Sequence, residues 1–152
     1  MKNIVENDRK LVEAAIEVIQ NNYDSEHLRH TVGAAIRTAN GHVYTGINIY
    51  SIHGACAELI AIGKAMTDGH RKFDTIVSVH FWEGKWQVVA PCGNCRQLFA
   101  DYFPKGFVLL QGEEGLEKVP VLDLIPKAYC NRNSKNKKDL AREKTKRSQL
   151  KY

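Results

Sequence analysis

Between residues 8 and 22 the apolar positions Leu11, Val12, Ala15, Ile16, Val18 and Ile19 recur at helical spacing, with acids placed early. That periodicity predicts an amphipathic helix. The pattern then changes. Residues 32–39 and 43–49 read as two strands, joined by Asn40-Gly41. The dipeptide predicts a hairpin with a type I′ turn, whose two central positions both need positive φ. Residues 56–68 return to helical spacing, with Leu59, Ile60, Ile62, Ala65 and Met66 available for burial and Gly69 as a stop. Residues 74–81 form a mostly apolar run suited to a strand covered on both faces.

Trp82-Glu-Gly-Lys85 then predicts a turn into a short strand at 86–89, and Pro91-Cys-Gly93 breaks the chain before a helix at 94–102. Residues 106–110 read as a strand, and 119–122 as a last strand or an extended arm before a turn ending at Pro126. Helix, hairpin, helix, strand, helix, strand implies an α/β sandwich around a mixed sheet. The chain shows no internal repeat and no inter-domain linker, and 152 residues suit one hydrophobic core.

Composition changes this picture only at the C-terminus. The net charge of +5 is unevenly spread: residues 131–152 hold nine Lys or Arg against Asp139 and Glu143, a net +7, which leaves residues 1–130 at −2. We therefore expect a single domain over 1–130 and a basic tail over 131–152, either a solvated helix or disordered. No apolar run approaches the roughly 18–20 residues that cross a bilayer. The charged N-terminus lacks an apolar signal core, so the expected location is cytoplasmic, with no membrane partner.

The chemistry lies in the cysteines. Cys56-Ala57-Glu58 opens one predicted helix, and Pro91-Cys92-Gly93-Asn94-Cys95 opens another. Helix N-termini lower thiol pKa values, so three thiolates at two helix starts can converge on one Zn²⁺. Three protein ligands keep a fourth position for water and make that water more acidic, as in a catalytic site. Glu58, two residues after a ligand, is placed to shuttle protons beside the metal. Other readings stay open here: a redox pair at Cys92 and Cys95, a closed four-cysteine structural zinc that recruits Cys130, and His53 as a ligand rather than a residue lining a pocket.

These motifs resemble the cytidine deaminase family, which includes the blasticidin-S deaminases. The resemblance spans about residues 8–130 and is carried by Val32-Gly-Ala-Ala35, Gly46-Ile-Asn48, Cys56-Ala-Glu58, Pro91-Cys-Gly-Asn-Cys-Arg-Gln97 and Leu124-Ile-Pro-Lys-Ala-Tyr129. It implies a three-layer α/β/α sandwich on a mixed sheet of about five strands. It further implies that Cys56, Cys92 and Cys95 hold one zinc per subunit and that Glu58 is the acid/base. Arg96 would donate hydrogen bonds to the zinc thiolates, Asn48 would bond a sugar hydroxyl, and the backbone at Ala57 would hold the pyrimidine edge. Tyr129 matches an aromatic that in relatives reaches a neighbouring subunit's site, so a homotetramer with shared sites is implied.

Two positions depart from that pattern. Tyr50 stands where ordinary cytidine deaminases carry a Glu that accepts from ribose hydroxyls. His30 stands where an aromatic packs on the base, and is expected either to touch the base or to support the hairpin. With the short segment between Asn48 and Cys56, these features place the chain nearer the blasticidin-S deaminase branch, the alternative being a cytidine or deoxycytidine deaminase of pyrimidine salvage. The expected partner is thus a small cytosine nucleoside or analogue. Two further alternatives belong to other classes: a polynucleotide deaminase using the basic tail, which offers only Tyr152 for stacking, and an inactive zinc-binding protein.

Overall fold

Ala34 and Ala35 are neighbours on one strand, yet each is buried in a different core. In the computed structural model, which describes residues 3–130, that alternation runs through the whole sheet. Helix α1 (Glu6–Gln20) places Leu11, Ala15 and Ile19 on one face of the sheet, against Ala35, Val77, Val79 and Leu109. Helices α2 (Ala57–Thr67) and α3 (Gly93–Tyr102) cover the other face with Ala57, Ala61, Ile62, Ala65 and Phe99, against Ala34, Ile36, Ile76 and Val108. Successive side chains of a strand point to opposite faces, so strands apolar at every position need helices on both sides. The result is the expected α/β/α sandwich.

Among the described residues the sheet has six strands, one more than expected. They are β1 (Val32–Thr38), β2 (Val43–Ile47), β3 (Phe73–Trp82), β4 (Lys85–Val88), β5 (Phe107–Gly112) and β6 (Gly115–Pro120), followed by a 3-10 turn at Val121–Leu124. Their order is β2-β1-β3-β5-β6, with β4 on β3. Among these strands only the β3–β5 pair is parallel, which makes the sheet mixed. The chain at 115–120 reads poorly as a strand because Glu117 and Lys118 interrupt it. Lys118 is nonetheless buried, and its ammonium meets a partner 110 residues away.

The hairpin joins β1 to β2 as expected, but its turn differs. Gly41 has φ 91°, whereas Asn40 is not among the residues with positive φ. The amide of Gly41 donates to the Thr38 carbonyl, and the amide of Thr38 to the His42 carbonyl. This is a three-residue connection in which the glycine alone takes the left-handed region. The Thr38 hydroxyl closes it by donating to the Asn40 side chain at 2.6 Å.

Asp8 ties the layers together. It is fully buried in the first turn of α1, where its carboxylate accepts from Arg37 of β1 at 2.8 Å and from Lys118 of β6 at 3.0 and 3.1 Å. Arg37 also reaches Asp74 of β3 at 2.6 Å. Burial pushes the Asp8 carboxyl up, but the bonds from Arg37, Lys118 and the Val5 amide outweigh it and hold the group below the ordinary carboxylate range. A carboxylate depressed in the folded state stabilises fully above its unfolded pKa and less as pH falls through the folded value. Asp8→Ala, which strands the buried Lys118 ammonium and leaves Arg37 with Asp74 as its remaining carboxylate, is expected to cost about 3–5 kcal/mol in urea denaturation at pH 7. In the wild-type protein the same contribution should fade on titration below pH ~4.

Candidate metal centre and cleft

The site forms where β1 begins, β2 ends and two helices start. Cys56 is the N-cap of α2 and Cys92 the N-cap of α3, and both have extended backbones and make no side-chain capping bond. Cys95 follows as the third residue of α3 and is fully buried. The three sulfurs lie within 4.8 Å of one another, and Cys56 Sγ is 3.6 Å from Cys92 Sγ. In a tetrahedral zinc site with Zn–S bonds of about 2.3 Å, two sulfurs stand roughly 3.8 Å apart. The cluster therefore fits a zinc ion. Cys130 is exposed and lies outside it, so the described protomer does not assemble the four-cysteine site. His53 lines the cleft and is likewise not part of the cluster.

The thiols respond unequally to this crowding. Burial, then the neighbouring Glu58 charge and the other two sulfurs, push the Cys95 thiol far up. Burial and Cys92 raise Cys56 as well. At Cys92 burial acts upward too, but the amides of Cys95 and Asn94 at the start of α3 and the adjacent thiols outweigh it and lower the group. Of the three thiols, Cys92 is thus the one that the protein alone makes easiest to ionise. A divalent cation supplies the positive charge that lets all three ionise.

Glu58, the second residue of α2, is only 4% exposed and lines the same cleft. Among the described residues no lysine or arginine pairs with it. A buried carboxylate without a cationic partner is costly unless a metal or a ligand shares its environment. The cleft above it has a volume of about 490 Å³, within the usual range for small-molecule sites. Asn48, Tyr50, Ala57, Cys56 and Cys92 line it as the motifs suggest. Val32, Val89 and Ala90 contribute apolar wall that carries no chemical signature in the sequence, and Asn94 adds a polar group inside the cysteine motif whose role the sequence did not expose.

Three expected residues sit otherwise. The Arg96 guanidinium donates to the Pro91 carbonyl at 2.8 Å and the Leu124 carbonyl at 3.3 Å, not to sulfur. It braces the loop that carries Cys92 against the 3-10 turn. His30 is not among the residues lining the cleft; its ring meets the Asn48 carbonyl. Tyr129 is 74% exposed and also off the cleft, and its carbonyl accepts from Gln97.

Close packing sets the position of α2. A Cβ at Gly46 would lie 2.5 Å from the Ala61 nitrogen and 2.6 Å from the Ala57 oxygen, both backbone atoms. Only a residue without a side chain lets the helix approach β2 so closely. Gly46→Ala is expected to push the start of α2 away from Asn48, at about 1–3 kcal/mol of stability, measured by urea denaturation.

Residues 5–110 match the family model described as the cytidine and deoxycytidylate deaminase zinc-binding region. The chain is 42% identical over 135 residues to a blasticidin-S deaminase of Bacillus cereus, covering 84% of this chain and 95% of that protein. It is 38% identical over 106 residues to a cytidine deaminase of Sporosarcina psychrophila, covering 64% of this chain and 74% of the relative. The crystal structure of the cytidine deaminase from Burkholderia pseudomallei superposes with a TM-score of 0.67 at 28% identity, covering 83% of this chain and all of the other. With the three-sulfur cluster and its neighbouring carboxylate, these matches lead to one conclusion: the chain belongs to the zinc-binding cytidine and deoxycytidylate deaminase family.

Proposed function

We propose that the protein hydrolytically deaminates the cytosine ring of a nucleoside or nucleoside analogue, giving uracil and ammonia, in a zinc-dependent reaction. The observation that carries this is a buried carboxylate, unpaired with any cation among the described residues, that lines a nucleoside-sized cleft beside Cys56 and Cys92, on which the buried Cys95 converges. Cys56, Cys92 and Cys95 would hold one zinc ion per chain, which when bound supplies Lewis acidity and an acidified water. The Glu58 carboxylate accepts a proton from the water that adds to the ring carbon. It delivers that proton to the adjacent ring nitrogen, then takes the second proton from the newly added hydroxyl and passes it to the amino group, which leaves as ammonia while the ring carbonyl forms. Buried at the helix start, Glu58 is held close to both positions without competing solvent.

Asn48 provides the sugar-side contact. Its Oδ1 accepts from the Val32 amide at 3.1 Å, which leaves Nδ2 as the donor presented to a hydroxyl. The backbone at Ala57 holds the pyrimidine edge, with Arg96 supporting the metal loop from behind. Tyr50, its hydroxyl 3.2 Å from Thr31 Oγ1, offers a bulky phenol on the sugar side. That favours an altered sugar over plain ribose and agrees with the similarity to a blasticidin-S deaminase. We therefore place the substrate on the blasticidin S side. Deamination of cytidine or deoxycytidine is the second reading, favoured by the retained Asn48.

Cytidine, deoxycytidine and blasticidin S offered side by side in an ultraviolet assay test the choice. The highest kcat/KM is expected for blasticidin S, and a preference for cytidine would remove the specificity role of Tyr50. The same proposal includes one domain over 1–130, a cytoplasmic setting and a homotetramer in which Tyr129 reaches a neighbouring subunit's site. Sedimentation velocity tests the assembly. The tail at 131–152, on which the polynucleotide reading depends, lies outside the described residues. Among those residues no helix is long and apolar enough to cross a membrane.

A further inference from the structure

The connection from α1 to β1 contains two non-glycine residues in the left-handed region, Leu28 (φ 51°) and His30 (φ 59°). Such backbones are uncommon where a Cβ is present and persist only when the surroundings hold them. Asp24 organises the first part, where its carboxylate accepts from the amides of Glu26 and His27 and contacts the His27 ring. His30 is held by a different element. Its Nδ1 lies 2.8 Å from the backbone oxygen of Asn48. A carbonyl only accepts, so Nδ1 carries the proton and donates.

Asn48 is fixed by three bonds. Its amide donates to the Val32 carbonyl at 3.0 Å, its Oδ1 accepts from the Val32 amide, and its carbonyl accepts from His30. The first two come from β1, and among the described residues His30 alone restrains the carbonyl. Beyond it the Ile49 amide bonds Ala55, and Cys56 follows. The peptide that His30 grips therefore connects the Asn48 side chain to the phenol of Tyr50, whose ring centroid is 6.2 Å from that of His30.

We propose that His30 is a positioning residue for the sugar-side wall. Its Nδ1–H pins the Asn48 peptide, aiming Nδ2 and Tyr50 into the cleft, and its ring does not contact the base. This rests on the deaminase function proposed above. Three variants separate a donor from a stacking ring. Asn places an amide N–H near the position of Nδ1 and tolerates positive φ, Gln places it where Nε2 lies, and Phe keeps only the ring.

His30→Phe and His30→Gln are expected to raise KM roughly tenfold, with kcat and zinc content little changed, because the lost bond orients bound substrate. His30→Asn should stay within about twofold of wild type. Amide hydrogen exchange over residues 46–55, measured on the same samples, should quicken in Phe and Gln but not in Asn. If Phe keeps a normal KM while Asn raises it, the ring packs on the base and the proposal fails; identical KM and exchange in all variants also overturns it. Should Phe not fold, Asn against Gln decides. Absence of cytosine turnover in the wild type would sink the proposed function instead, and hydrogen exchange alone would then judge the positioning role.

Discussion

Glu58→Gln is expected to lower turnover by two to four orders of magnitude while fold and metal content stay intact. The amide has the same shape in the same buried place, so packing against α2 and the cleft floor persists. What it loses is the ability to take a proton and give it back. Removing the charge also relieves one cause of the raised Cys95 thiol, so metal binding should not suffer. Steady-state turnover with metal analysis and thermal melting checks this. An inactive zinc-binding protein would be indifferent to the change, so unaltered turnover of any cytosine substrate would remove the acid/base role.

Cys95→Ala should have the opposite profile: zinc content on the order of 0.1 per chain or below, no turnover, and a lower melting temperature. The thiol is fully enclosed at the third position of α3, and two sulfurs at helix N-caps remain a poor site for a divalent ion. A ligand present at a thousand times its Kd stabilises the folded state by about 4 kcal/mol, and that contribution disappears with the ligand. Excess zinc should therefore raise the melting temperature of the wild type but not of the variant. An equal response in both would mean that Cys95 is no ligand.

The clustered cysteines and Glu58 were legible in the sequence because their spacing is local. Cys56 with Glu58 and Cys92 with Cys95 each occupy one helical turn, and Pro91 beside the second pair marks a helix start. The helices and central strands were legible too, since Leu11, Ala15 and Ile19 or the run through Val77 have only one way to be buried. Long-range partnerships were not. Nothing near Asp8 announces Arg37 or Lys118, 29 and 110 residues on. For that reason β6, whose Lys118 is buried only because Asp8 receives it, looked like an interrupted strand.

Arg96 shows a different limit. The family resemblance implied thiolates as its partners, yet a guanidinium reaches several acceptors, and the carbonyls of Pro91 and Leu124 lie in range. The type of the Asn40-Gly41 turn was missed for a similar reason. The Thr38 hydroxyl bonds the Asn40 side chain and favours a loop with a single left-handed glycine.

Zinc K-edge X-ray absorption on the purified protein, with metal quantified per chain, bears most directly on the site. The expected result is about one zinc with three sulfurs near 2.3 Å and a single oxygen or nitrogen neighbour near 2.0 Å. A metal-free protein, or a zinc enclosed by four sulfurs, would contradict it.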